Sequence, residues 1–151
     1  MAKTSNPRPL ICATLVCDRV LQEADTTLSA IRIIDNITVG FVGPTGSTAP
    51  DTPPPMGVTF TVLVISKAGE ARGERTFRVR LVRPNGKPVG DDAEFRALFQ
   101  NEESGANFIL RVGIQTTEMG LYWVEVYVDG EDEPLTRTPF RLIYEPGVKT
   151  P

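Results

Sequence analysis

Histidine is absent from this chain of 151 residues. That absence removes the commonest general base, the Ser-His-Asp and Cys-His constellations, and every histidine-containing zinc site. Cysteine is nearly absent as well, with Cys12 and Cys17 the only two. Both lie in one apolar run; if that run is a strand they point to opposite faces about 16 Å apart, too far for a disulfide, which needs Cα atoms within about 7 Å. Positive charge is not in excess: 16 Lys and Arg stand against 19 Asp and Glu, a formal net charge of −3. No general electrostatic pull toward nucleic acid or an anionic membrane follows from that balance. No stretch approaches the roughly 20 apolar residues of a membrane span.

Lys3 and Arg8 precede the short apolar run 10–17, the outline of an export signal. The run is cut off by Asp18 and Arg19 and lacks a small-x-small cleavage site, and bulky Val16 precedes Cys17 where a lipoprotein needs a small residue. Two unpaired thiols suit a reducing interior, so the expected location is the cytoplasm.

Glycine and proline are plentiful, 13 of each, without period, and 40% of the chain is hydrophobic. Such a composition suggests many turns between many short strands. Residues 1–9, with two prolines and little apolar content, form an expected flexible arm; residues 10–145 form one domain, and 146–151 a tail. Strands are expected over 10–18, then 28–41 with a bulge or short turn at Asp35-Asn36, then 58–66, 76–82, 94–99, 108–114, 120–129 and 138–144. Most show alternating apolar residues, as in Phe77, Val79 and Leu81 against Arg78 and Arg80, whereas 10–17 is one apolar run and Leu63 and Ile65 make the second half of 58–66 apolar on both faces. Residues 18–25 read as a helical turn or two, or as a polar connection. Residues 40–57 carry Pro44, Pro50, Pro53, Pro54 and Pro55 without Lys or Arg, which marks a long exposed loop. Asn85-Gly86 and Asp129-Gly130 supply turns. About eight strands at regular spacing predict an all-β, two-sheet sandwich.

Glu118-Met119-Gly120-Leu121-Tyr122 resembles the corner motif of immunoglobulin-like domains, in which the tyrosine hydroxyl bonds to upstream backbone. Glu118 stands in place of the usual Asp, and Val124 at the position of the usual second Cys, which implies a disulfide-free sandwich. Over nearly the whole chain, Cys17-Asp18-x-Val20, Ile34-Asp35-x-Ile37, the Pro-rich gap, residues 80–87 and Gly120-x-Tyr122 through Pro139 resemble a family of short uncharacterised bacterial proteins. That resemblance implies a bacterial cytoplasmic β-sandwich and carries over no functional residue.

The remaining constellations point away from catalysis. Acidic turns at Asp91-Asp92-x-Glu94, Glu102-Glu103 and Asp129-x-Glu131-Asp132-Glu133 lack the spaced ligands of a calcium loop. A calcium or carbohydrate site is therefore the alternative reading, and it requires Asp129, Asp132 and a third acidic loop to converge. Gly43-Pro44-Thr45-Gly46 lacks the Lys-Ser/Thr ending of a phosphate loop, and Pro50-x-x-Pro53 lacks an adjacent basic residue for recognition as a proline-rich ligand. Arg72, Arg75, Arg78, Arg80 and Arg83 form a basic series without interleaved aromatics, so nucleic acid is not an expected partner. Glu94 or Glu125 could neutralise its outward members across strands. The most informative row is Leu121, Trp123, Glu125 and Tyr127, which must face away from the core if Tyr122, Val124, Val126 and Val128 fill it. An apolar row of this kind anchors a contact between proteins, unless the arm or the Pro-rich loop covers it. The expectation is a non-enzymatic interaction or structural module without cofactor, self-associating or docked on a larger assembly, with Leu121, Trp123 and Tyr127 at its interface.

Overall fold

A computed structural model describes residues 11–147, and Ile11 through its backbone alone. The expected arm lies outside the described residues, as does all of the tail beyond Gly147. Nine strands follow in order: β1 (Ile11–Gln22), β2 (Leu28–Ile33), β3 (Asn36–Val39), β4 (Met56–Lys67), β5 (Gly73–Val82), β6 (Ala93–Phe99), β7 (Gly105–Thr116), β8 (Gly120–Val128) and β9 (Thr136–Tyr144). They form a two-sheet β-sandwich, one sheet ordered β2-β1-β4-β7 and the other β3-β9-β8-β5-β6. No helix among the described residues is long and apolar enough to cross a membrane.

Alternation decides which side chains meet between the sheets. Val58, Phe60, Val62 and Val64 of β4 pair across with Ile114, Val112, Leu110 and Phe108 of β7. They face Phe77 and Val79 of β5, Tyr122, Val124 and Val126 of β8, and Phe140 and Leu142 of β9, all within one core. Two aromatic clusters join the layers: Phe60 lies 4.8 Å from Phe140, and Phe108 lies 5.1 Å from Phe77 and 4.8 Å from Phe95 between ring centroids. Each such pair adds about 0.5–1.5 kcal/mol beyond its buried area.

Two expectations are corrected. Residues 18–22 are neither helical turns nor a free connection; they continue β1, where Arg19, Val20, Leu21 and Gln22 pair with Ile31, Ala30, Ser29 and Leu28. The hairpin closes through Asp25, whose carboxylate accepts bonds from the Thr27 amide and hydroxyl. At Asp35-Asn36 the chain does more than turn: it changes sheets. The Ile34 amide donates to Val16 in one sheet and the Asp35 carbonyl accepts from the Arg141 amide in the other, after which β3 runs parallel to β9.

The Asp129-Gly130 turn behaves as the residue types dictate, both adopting positive φ, 52° and 71°. Its carboxylate also holds the end of the sandwich, receiving Arg75 at 2.8 Å and the Thr76 amide at 3.1 Å. The Pro-rich loop is mostly exposed, tethered where the Tyr144 hydroxyl donates to the Pro50 carbonyl at 2.8 Å.

Candidate interaction surfaces

On β8 the residues Leu121, Trp123, Glu125 and Tyr127 do face away from the core, but not as an open apolar row. Register places Arg78 beside Tyr127, Arg80 beside Glu125 and, from the other side, Arg137 beside Glu125. The Arg78 and Arg80 guanidinium groups lie 4.5 and 5.5 Å from the Tyr127 ring centroid, and Arg137 lies 4.3 Å from that of Trp123. Tyr127 is thereby only 6% exposed, whereas Leu121 and Trp123 are half-buried. The cover comes from arginines of the same sheet rather than from the Pro-rich loop.

The charges of this face neutralise one another. Asp92 accepts two bonds of 2.9 Å from Arg80 and pairs with Arg78 at 3.4 Å. The Arg80 hydrogen bond holds its carboxyl below the usual value, and the same bond raises the guanidinium of Arg80. Glu125 accepts from Arg137 at 2.9 Å and from the Tyr127 hydroxyl at 2.6 Å. Burial, and then the bond to Glu125, push the Tyr127 phenol upward. Of the two carboxylates expected to neutralise the outward arginines, Glu125 pairs with Arg137; Glu94 lies opposite Arg78 on β6, but it is Asp92, which was not expected, that serves Arg78 and Arg80.

The other arginines of the series are employed structurally. Arg72 donates to the carbonyls of Gly69 and Ala71, Arg75 is buried against Asp129, and Arg83 reaches the Thr116 hydroxyl at 3.3 Å. Asp129 is therefore committed to Arg75 and Thr76, and no group of three acidic or cysteine side chains fit for a metal ion is found among the described residues. The convergence required by a calcium site is not present there.

The outer face of the smaller sheet was less visible in sequence. Leu15, Leu63 and Ile109 stand side by side across β1, β4 and β7; the row on one side is Ala13, Ile65 and Asn107, and that on the other is Ile33, Cys17, Thr61 and Arg111. Leu63 is 3% exposed within this group, but Ile109 and Ile33 are 46% and 62% exposed. Arg111 stands at the β7 end of the Cys17 row, beside Thr61. The signal for Ile109 was its place inside the unbroken run Phe108-Ile109-Leu110, and for Leu63 and Ile65 the loss of alternation in the second half of β4.

Both cysteines are free. Cys17 is fully buried on the outer side; burial, and then the adjacent Asp18 charge, raise its thiol. Cys12, half-buried toward the core, is pushed by burial to about 11. Neither is disposed to act as a thiolate nucleophile.

At the turn before β8, the Tyr122 hydroxyl donates to the Glu118 carbonyl at 2.8 Å and lies 3.0 Å from the Thr116 hydroxyl. The Glu118 carboxylate accepts from the Asn85 amide at 3.0 Å, joining the turn before β8 to that after β5.

Two sheets over one core, with outer faces finished in different chemistry, define a small all-β sandwich protein. Within that class the chain belongs to DUF6941, a family of unknown function, whose model matches residues 13–143. No curated protein matches it significantly. Among solved structures it is similar to β-glucosidase 3B from Thermotoga neapolitana, with 16% identity and a TM-score of 0.43 over 59% of this chain and 15% of that one. It is also similar to the β-glucosidase from Listeria innocua in complex with glucose, with 11% identity and a TM-score of 0.43 over 88% and 16%.

Proposed function

We propose that this chain is a non-catalytic, cytoplasmic protein-interaction module of immunoglobulin-like type that docks through the outer face of its four-stranded sheet. The observation that carries the reading is the apolar row Leu15, Leu63 and Ile109 with Ala13 and Ile65 beside it, exposed at Ile109 and, in the row on the other side, at Ile33, and bordered by Asn107, Thr61 and Arg111. Contiguous apolar surface rimmed by polar residues is characteristic of contact sites. The immunoglobulin-like assignment follows the corner-motif resemblance and is supported by the bond from Tyr122 to the Glu118 carbonyl; the bacterial assignment follows the sequence resemblance alone. The cytoplasmic assignment is supported by two unpaired thiols.

The test is capture of partners from the host with the tagged protein, followed by measured binding of the identified partner to variants. Ile109→Asp and Ile33→Asp are expected to weaken that binding at least tenfold while the melting temperature stays within a few degrees of wild type. Undiminished binding by both variants overturns the reading. The Trp123 row supports a second reading, because Leu121 and Trp123 remain half-buried beside a half-exposed Arg137. Loss of association in Trp123→Ser, with Ile109→Asp unaffected, selects it; sedimentation velocity separates self-association from binding of another protein.

A further inference from the structure

Sheet edges present unpaired amides and carbonyls, and proteins ordinarily guard them with short strands, charges, prolines or kinks. Three of the four edges in this sandwich are guarded. β3 has 4 residues and β2 has 6, with Arg32 of β2 at a positive φ of 54°. β6 has 7 and carries Glu94 and Arg96. β7 differs: its 12 residues include one charge, Arg111, and no proline. Among the described residues it has only β4 as a neighbour in the sheet.

The space beside that edge is shaped as well. Pairing of β5 with β6 ends at Val79 and Ala93, and the chain between the strands closes back on β5 through the Val89 amide and the Leu81 carbonyl. A cleft of about 290 Å³ lies between the sheets here, lined by Leu81, Val89 and Ala93 on one side and Leu110, Val112 and Ile114 of β7 on the other. Its volume is near the lower limit of small-molecule pockets, about 300 Å³, and suits the side chains of a strand lying along β7.

Charge supplies the third observation. Arg111 projects from the opposite side of β7, beside Thr61 and two residues beyond exposed Ile109. The ion pairs among the described residues do not include it, although Asp18 lines the same shallow depression. A residue opposite Arg111 on an added strand would project to the same face, where an acidic side chain would be favourable.

We propose that the free edge of β7 accepts an extended peptide strand of a partner protein, with small apolar side chains entering the cleft and an acidic side chain pairing with Arg111. Main-chain bonds to β7 give affinity and the alternating side chains give specificity, the general scheme of strand addition. The inference rests on reading the chain as an interaction module, and it supplies the partner's form and chemistry.

The probe is a blocked nine-residue peptide, Thr-Val-Thr-Val-Glu-Val-Thr-Val-Thr, titrated into the isotopically labelled protein and followed by amide chemical shifts. Its counterpart has Lys in place of Glu. Shifts are expected along β7 and residues 89–93, with the Lys peptide binding about tenfold more weakly and Arg111→Glu reversing the preference. Ala93→Leu, which fills the cleft, is expected to weaken the Glu peptide by a similar factor. Absence of binding, equal affinity for the two peptides, or shifts confined to another surface overturns the proposal. So does sedimentation of the free protein as a dimer that excludes the peptide, since a second copy then occupies the edge. Ile33→Asp lies on β2, far from this edge, and separates the two readings. Weakened partner binding in Ile33→Asp with no peptide binding leaves the outer-face reading standing and removes this one; the converse removes only the outer-face reading.

Discussion

Tyr122 is the most fully employed side chain in the core: its ring stacks 5.5 Å from that of Phe140, and its hydroxyl donates to Glu118 while lying beside Thr116. Tyr122→Phe keeps the ring and removes the hydroxyl, leaving the Thr116 hydroxyl and the Glu118 carbonyl to find other partners. A loss of about 1–2 kcal/mol is expected in urea unfolding, with the native spectrum unchanged. Cys12 gives a prediction of opposite character, since its effect appears only in alkali. Its thiol is held to about 11 in the fold against 9.0 when unperturbed, so the unfolded chain releases that proton first. Its contribution to stability is complete below about pH 9 and declines as the pH rises toward 11. Tyr127, also raised above its reference of 10.0, adds to the decline at the upper end. Urea midpoints from pH 8 to 11 should therefore fall less steeply in Cys12→Ala than in wild type; parallel slopes would show that Cys12 ionises as freely in the fold as in the unfolded chain.

Strands made their faces legible but not their neighbours. Alternation in Phe77, Val79 and Leu81, or in Tyr122, Val124 and Val126, tells which side is apolar, and those residues are indeed in the core. It does not tell which strand lies alongside, so nothing in residues 18–22 alone revealed that their partner is β2, or that the chain changes sheets at Asp35. The same limit explains the Trp123 row. Its direction follows from one strand, whereas its cover depends on the register that brings Arg78 beside Tyr127 and Arg137 beside Glu125. The arginine layer makes its own prediction. Asp92 is held below its ordinary value of 3.8, first by the bond from Arg80, so its contribution is present above that pH and is lost as the pH falls through the lower folded-state value. Asp92→Asn should cost about 1–2 kcal/mol near neutrality, with the gap to wild type closing in acid. A gap independent of pH would mean that the carboxylate charge is not what matters. The loop joining β3 to β4 should be more forgiving. Removing residues 43–48 leaves the Pro50 carbonyl for Tyr144, and loop closure depends only weakly on length, so unfolding free energy should change by less than about 1 kcal/mol. A larger loss would show that the deleted tip supports the sheet.

At the scale of the whole molecule, the two sheets are tied together by the chain itself as well as by their shared core. Ile34 bonds to one sheet and Asp35 to the other, and β3 then lies parallel to β9, with Asn36 beside Arg141 and Val39 beside Tyr144. Those partners are separated by roughly 100 residues. Synthesis on the ribosome proceeds at about 5–20 residues per second, so β3 would wait some 5–20 s after its own emergence for the strand that completes its sheet. Toward the end of that interval β8, once emerged, would also lack its neighbour β9. Nascent chains arrested before residue 136 should accordingly be cut rapidly by protease, whereas chains arrested far enough beyond Tyr144 for β9 to leave the exit tunnel should resist. If the shorter chains resist equally, the remaining strands close without β9. Otherwise β9 sets the clock, and a host that translates this message slowly would prolong the period in which β3 waits for its partner.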